Sequence, residues 1–289
     1  MEGLKKLFLP ITATLGFIQK YFKSMLFLLL VFVLFAPANE QDLIPNNLQE
    51  IKLIGPIFDT TEVVEQIDAA RENDKVKGVL FTVNSPGGTV PPSIEVMYAV
   101  KRLKEVKPVV VYAAGTLASG SYYASVYADE IIANPGSMVG SIGVIMHGAD
   151  VSGLMEKIGI KSQIVQAGKY KQVGTADREW SKAEKRELNK VIQGTYKMFV
   201  HDVATARGLD EKKAHLYADA HIFTAEQAKE VGLVDSLGVM YDAKKRVEEL
   251  SKVKKPHWNR EDKFDKFMKK LAAESSLMIH TYFPALSLR

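Results

Sequence analysis

Val109-Val-Val-Tyr-Ala-Ala-Gly-Thr-Leu-Ala-Ser-Gly-Ser-Tyr-Tyr-Ala124 reads as an apolar strand that breaks into a helix around Ala118-Ser119-Gly120. The small residues on either side of Ser119 let the backbone turn sharply. They present its hydroxyl at a helix N-terminus, where free N–H groups favour developing negative charge. A nucleophilic serine needs that geometry. Turns of small residues are common, however, so the stretch takes its meaning from the segments around it.

Those segments alternate. Ile51-Lys-Leu-Ile-Gly-Pro-Ile57 reads as a strand, and 60–72 as a helix with Val63, Val64, Ile67 and Ala70 on one face. Gly78-Val-Leu-Phe-Thr-Val83 is almost continuously apolar, as expected of a strand covered on both faces. It runs into the turn cluster Asn84-Ser-Pro-Gly-Gly88 and then a helix from about 93 to 106. Beyond the Ser119 turn, the pattern predicts a helix over 120–127 and strands over 130–133 and 138–146. A helix near 151–158 and a strand near 161–166 follow. Strands separated by helices define an α/β fold with a largely parallel sheet. The second half is more helical. Ser181-x-x-Glu184 is a capping box opening a long helix with Leu188, Val191, Ile192, Thr195, Phe199 and Val203 inward. Thr224-x-x-Gln227 repeats the pattern, and Gly232 is placed to stop that helix.

With 289 residues, the chain accommodates one domain and appendages: 1–45, a core over 46–250, and a basic, amphipathic extension over 251–289. The net charge of +4 is mild and its lysines gather at the ends, which suits a membrane surface and carries no nucleic-acid signal. Without cysteine, thiolate catalysis, disulfides and Cys-ligated zinc are excluded. Met25–Ala36 is an uncharged apolar run with Lys5, Lys6, Lys20 and Lys23 before it and Glu40 and Asp42 after it. This polarity predicts a single-pass anchor in the cell membrane, with a cytoplasmic N-terminus and an exported core. The run is shorter than the ~20 residues of a comfortable span; extended back to Phe17, it requires Lys20 and Lys23 to snorkel. Ala36-Pro-Ala38 offers the alternative of a cleaved signal peptide. In the tail, Phe264, Phe267, Met268 and Leu271 form a helical apolar stripe.

A serine hydroxyl needs a base. His147 is the histidine nearest to Ser119 in sequence, just past the expected strand 138–146. Lys169 and Lys171, in Ala167-Gly-Lys-Tyr-Lys-Gln-Val-Gly-Thr-Ala176, are the other option, since an amine acts as a base once burial lowers its pKa. The glycines of Asn84–Gly88 follow a strand and can turn backbone N–H groups toward a ligand, as an oxyanion hole requires.

Val83-Asn-Ser-Pro-Gly-Gly88, Ala118-Ser-Gly-Ser-Tyr-Tyr123, Ala128-Asp-Glu-Ile-Ile-Ala-Asn-Pro-Gly136, Gly140-Ser-Ile-Gly-Val144, Ala167-Gly-Lys-Tyr-Lys171 and Ala228-x-x-x-Gly-Leu-Val-Asp235 occur in this order over about 50–245. In this the chain resembles the SppA-type signal peptide peptidases, membrane-anchored serine proteases with the Clp protease/crotonase fold. The resemblance implies Ser119 as nucleophile, Lys171 rather than Lys169 as general base, and Ser141 as the residue orienting the lysine amine. It implies an oxyanion hole of the Gly120 N–H with one from Gly87 or Gly88. Neither metal nor other cofactor is implied. The expected substrates are hydrophobic peptides such as signal-peptide remnants, cleaved by a homo-oligomer whose neighbouring subunits complete each site. Ser121, Ala167 and Gln172 depart from the usual glycine, serine and acid of that pattern. Three alternatives stay open: a Clp-like Ser119–His147 pair with an acid such as Asp177, a crotonase-like acyl-CoA enzyme, and an inactive anchored scaffold.

Overall fold

The computed structural model describes residues 17–28 and 45–259. The chain divides into two units, Met1–Pro45 and Asn46–Arg289. In the first, residues 17–28 form an exposed helix, α1. Among the described residues, no helix is long and apolar enough to cross a membrane. Most of the Met25–Ala36 run and the stripe at 264–271 lie outside the described residues.

In the second unit the elements are β1 (Leu48–Ile54), α2 (Thr61–Glu72), β2 (Gly78–Ser85), α3 (Val90–Lys104), β3 (Val109–Ala118), α4 (Gly120–Ser125), β4 (Glu130–Ala133), β5 (Met138–Gly140) and α5 (Ser152–Lys157). Then follow α6 (Lys182–Arg207), a 3-10 turn (Glu211–Leu216), β6 (Ile222–Thr224), α7 (Ala225–Glu230), β7 (Ser236–Leu237) and α8 (Met240–Ser251). The sheet runs β1-β2-β3-β4-β7, all parallel. β3 forks: Val110–Ala113 pair with β4, while Thr116–Ala118 pair in parallel with β5, on which β6 lies antiparallel. Ser119 is the residue just past the fork.

The period of two along each strand divides the core. Val79, Phe81, Val83, Val109, Val111 and Ala113 join the larger cluster with residues of α2, α3, α4 and α6. Leu80, Val110, Tyr112 and Ile132 face the other way, against Ala243 and Val247 of α8. Both faces are therefore covered, which explains the apolar runs. The β1 edge is partly closed by the chain's own later residues. Asn47 and Leu48 N–H groups donate to the His257 carbonyl, and the Asn259 side chain bonds both main-chain groups of Glu50.

Some boundaries differ from the expectation. α3 starts at Val90, because Pro91 and Pro92 fall in its first turn, where a missing N–H costs nothing. The strand expected over 138–146 ends at Gly140, since Ser141 turns to φ 49°. The strand expected near 161–166 does not form: no neighbouring strand pairs with these residues, and Ile164 and Val165 are exposed. The short β6 and β7 carry too few residues for a periodic signal.

Candidate active site

Ser119 caps α4 with φ 54° and ψ −124°, a region that non-glycine residues rarely occupy. Its N–H donates to the Gly140 carbonyl at 2.8 Å, and its own carbonyl accepts the Tyr123 N–H at 3.0 Å. One bond ties the residue to β5 and the other to α4, so the strained backbone is held from both sides. Conformations of this kind persist where surrounding structure over-determines them, and they cluster at functional sites.

The other side of the turn is built by glycines. Gly87, at φ +90°, leaves no space for a side chain: a Cβ there would lie 2.6 Å from the Gly120 nitrogen and 2.8 Å from the Ser119 Cβ. A Cβ on Gly88 would collide with the Ile57 carbonyl. Ile57 in turn donates its N–H to the Gly87 carbonyl and accepts the Thr89 N–H, which fixes this loop against Gly55–Ile57. The two glycines are not equivalent. The Gly87 N–H is taken by Ser85 Oγ at 3.2 Å, whereas Gly88 lines the pocket beside Ser119. Gly120, as the first helical residue, has no intrahelical acceptor for its N–H.

Ser119, Gly120, Gly88 and Ser141 open onto one cavity of about 210 Å³. Its apolar walls come from Val90, Val144, Ile145, Tyr123 and Phe199, with Thr195 one helical turn before Phe199 on α6. Tyr123 stacks on Phe199 with ring centroids 4.3 Å apart. Its hydroxyl donates to Asp202, which also accepts from Tyr127. Burial, and then the Asp202 carboxylate, push the Tyr123 hydroxyl well above its ordinary pKa, so it remains a neutral donor. Sequence reasoning placed Phe199 on the inward face of α6 but did not find Tyr123 or Asp202 as pocket-building residues. They lie on α4 and α6 and meet only through the packing of these two helices, which spacing along the chain does not reveal.

Ser141, at φ 49°, donates its N–H to the His221 carbonyl at 2.6 Å and is half-buried in the cavity wall. The structure thus brings together Ser119, Ser141, Gly88 and Gly120, with Gly87 packed behind them. Lys171 stands apart: it is exposed, in a turn closed by its N–H to the Gly168 carbonyl, and is not part of the cavity wall. His147 is also exposed and outside the wall. Asp177 lies on the same outlying segment, its carboxyl held below its ordinary pKa by the Ser162 and Thr175 hydroxyls.

A parallel α/β sheet carrying a strained serine at a strand-to-helix turn, opposite a glycine loop, defines a hydrolase-type architecture. The family model of peptidase family S49 matches residues 101–254. The chain belongs to that family. It is 44% identical over 198 residues to a protein of Methanocaldococcus jannaschii that bears a protease name, a match covering 68% of this chain and 64% of the relative. It is 36% identical over 191 residues to an Enterococcus faecium protein named after signal peptide peptidase SppA, covering 66% and 55%. The match thus spans less than two thirds of either relative's length. Among solved structures, a mutant of the 1510-N membrane-bound stomatin-specific protease aligns with TM-score 0.49 at 15% identity, over 70% of this chain and 85% of its own.

Proposed function

We propose that this chain is a serine endopeptidase with Ser119 as its nucleophile. The observation that carries the reading is the strained Ser119 backbone at the mouth of a cavity bordered by Gly88 and Gly120. An alcohol there attacks a peptide carbonyl, and the oxyanion that forms meets the Gly120 and Gly88 N–H groups. Lys171 is the proposed base. In its neutral form it takes the Ser119 proton, then returns it to the leaving amine, and water resolves the acyl-enzyme. Ser141 orients the amine from the cavity wall. Because Lys171 lies on an exposed turn, the proposal requires assembly: the lysine is brought to a site within a homo-oligomer, and burial there lowers its pKa. The apolar walls favour hydrophobic peptides, including cleaved signal peptides. An N-terminal anchor, with the catalytic unit on the exported side of the cell membrane, would keep the site close to such substrates.

The test uses the full chain in detergent with a fluorophosphonate probe and an apolar fluorogenic peptide. Wild type is acylated at Ser119 and cleaves the peptide, Ser119→Ala does neither, and Lys171→Ala loses at least 100-fold in kcat. Loss with His147→Ala but not Lys171→Ala overturns the lysine assignment. A wild type that is neither labelled nor active overturns the peptidase reading.

A further inference from the structure

Ser121 stands two residues past Ser119, and its side chain is fully buried. It is not part of the cavity wall, so it is no second nucleophile. Its partners lie at a defect in the sheet. The β2–β3 ladder runs in register from Val79↔Val109 to Val83↔Ala113, slips, and resumes at Ser85↔Leu117. Side chains serve main-chain groups around the slip. Asn84 Oδ1 accepts the Thr116 N–H at 2.9 Å. Ser121 Oγ accepts the Ala118 N–H at 2.9 Å and donates to the Ser85 carbonyl at 2.7 Å, with the Ala118 carbonyl at 2.9 Å as a second acceptor. One hydroxyl therefore joins the residue before Ser119 to the strand end that leads into Gly87 and Gly88. Those two stretches carry the two amides that border the cavity.

We infer that Ser121 is a positioning residue, setting the spacing between the Gly88 and Gly120 N–H groups about Ser119. The inference rests on the reading of Ser119 as the nucleophile. Without the hydroxyl, a buried donor and acceptor lose their partner, and the two walls can drift. Misplacement by about 1 Å costs on the order of 100-fold in rate.

Ser121→Ala and Ser121→Gly are compared with wild type in the full-length protein. The measurements are kcat and KM on the apolar peptide, the rate of Ser119 acylation by the fluorophosphonate, and thermal stability. Ser121→Ala is expected to lose at least tenfold in kcat and in acylation rate, with KM within threefold. Ser121→Gly vacates enough space for a water among three polar groups, so its loss is smaller than that of Ser121→Ala. Its melting temperature is nevertheless the lower of the two, because glycine is the poorer helix residue. A purely structural role predicts that activity follows stability, with glycine worse in both. That order overturns the inference, as do wild-type acylation rates in both variants. If Ser121→Ala does not fold, the slowed acylation must appear in Ser121→Gly, and a wild-type rate there overturns it. Wild type that fails to acylate at Ser119 overturns the peptidase reading and this inference together. Labelled wild type with unaffected variants removes this inference alone.

Discussion

Ser119 holds φ 54° although an L-residue pays on the order of 1–3 kcal/mol for such a conformation. If that strain is built in, its release should be measurable. Ser119→Gly is expected to be more stable than Ser119→Ala by about 1 kcal/mol, read as a rise of about 2–4 °C in Tm, while both are equally inert toward the acylating probe. The glycine loop behaves in the opposite way. Gly88→Ala drives a methyl group into the Ile57 carbonyl, and urea denaturation should register a loss of about 3 kcal/mol. Ser141 lay inside the strand expected over 138–146 and stood out only through the family resemblance, whereas Ser119 and the loop glycines were legible in the sequence because each sits where a strand ends, at a break in hydrophobic pattern. The partition of labour between Gly87 and Gly88 was not. It depends on which N–H the Ser85 hydroxyl reaches, a matter of three-dimensional direction.

Helix α6 carries Thr195 and Phe199 into the cavity, so its first turn matters to the site. Ser181 accepts the Glu184 N–H and the Glu184 carboxylate accepts the Ser181 N–H, the capping box its sequence announces. Arg178 adds a two-pronged bond to Glu184. This pair, and then the Ser181 N–H, hold the Glu184 carboxyl down to about 2 from its usual 4.5. A carboxyl whose folded pKa is depressed contributes stability that is fully present above its unfolded value and lost as pH falls through the folded one. The contribution of Glu184 should therefore fade between about pH 4.5 and pH 2, and in Glu184→Gln that part of the acid-induced loss should vanish from Tm measured against pH. Ser181→Ala should cost about 1 kcal/mol at neutral pH. Elements with such caps or with long periodic faces could be read directly, although Val191, expected inward on α6, is exposed. The strand expected near 161–166 misled because its apolar residues are only Ile164 and Val165, a β-branched pair too short to specify extended backbone where no neighbouring strand offers its edge.

At the scale of the molecule, apolar side chains gather on the surface between Ile145 and Val165. Ile145, Leu154, Ile158, Ile160, Ile164 and Val165 are all exposed, and Lys171 follows on the same segment. If assembly covers them, sedimentation of wild type should give a multiple of the protomer mass, and Ile158→Glu combined with Val165→Glu, both outside the cavity wall, should shift it to the protomer. Peptide hydrolysis should then fall to the level of Lys171→Ala with the fold intact by circular dichroism. The sheet could be read from one chain's sequence because each strand's pattern reports on its own cover. The place of Lys171 could not, because an exposed lysine on an outlying turn leaves no periodic mark, and only the family resemblance tied it to Ser119.

The bonds between Asn47 and His257 have a topological consequence. They put the beginning and the close of the catalytic unit side by side, so the order in which its segments are encoded is separable from its architecture. A rearranged gene that bridges these positions with a short glycine-serine link, and starts instead at the uncrowded Gly159, should yield the same sheet with its leader and tail removed.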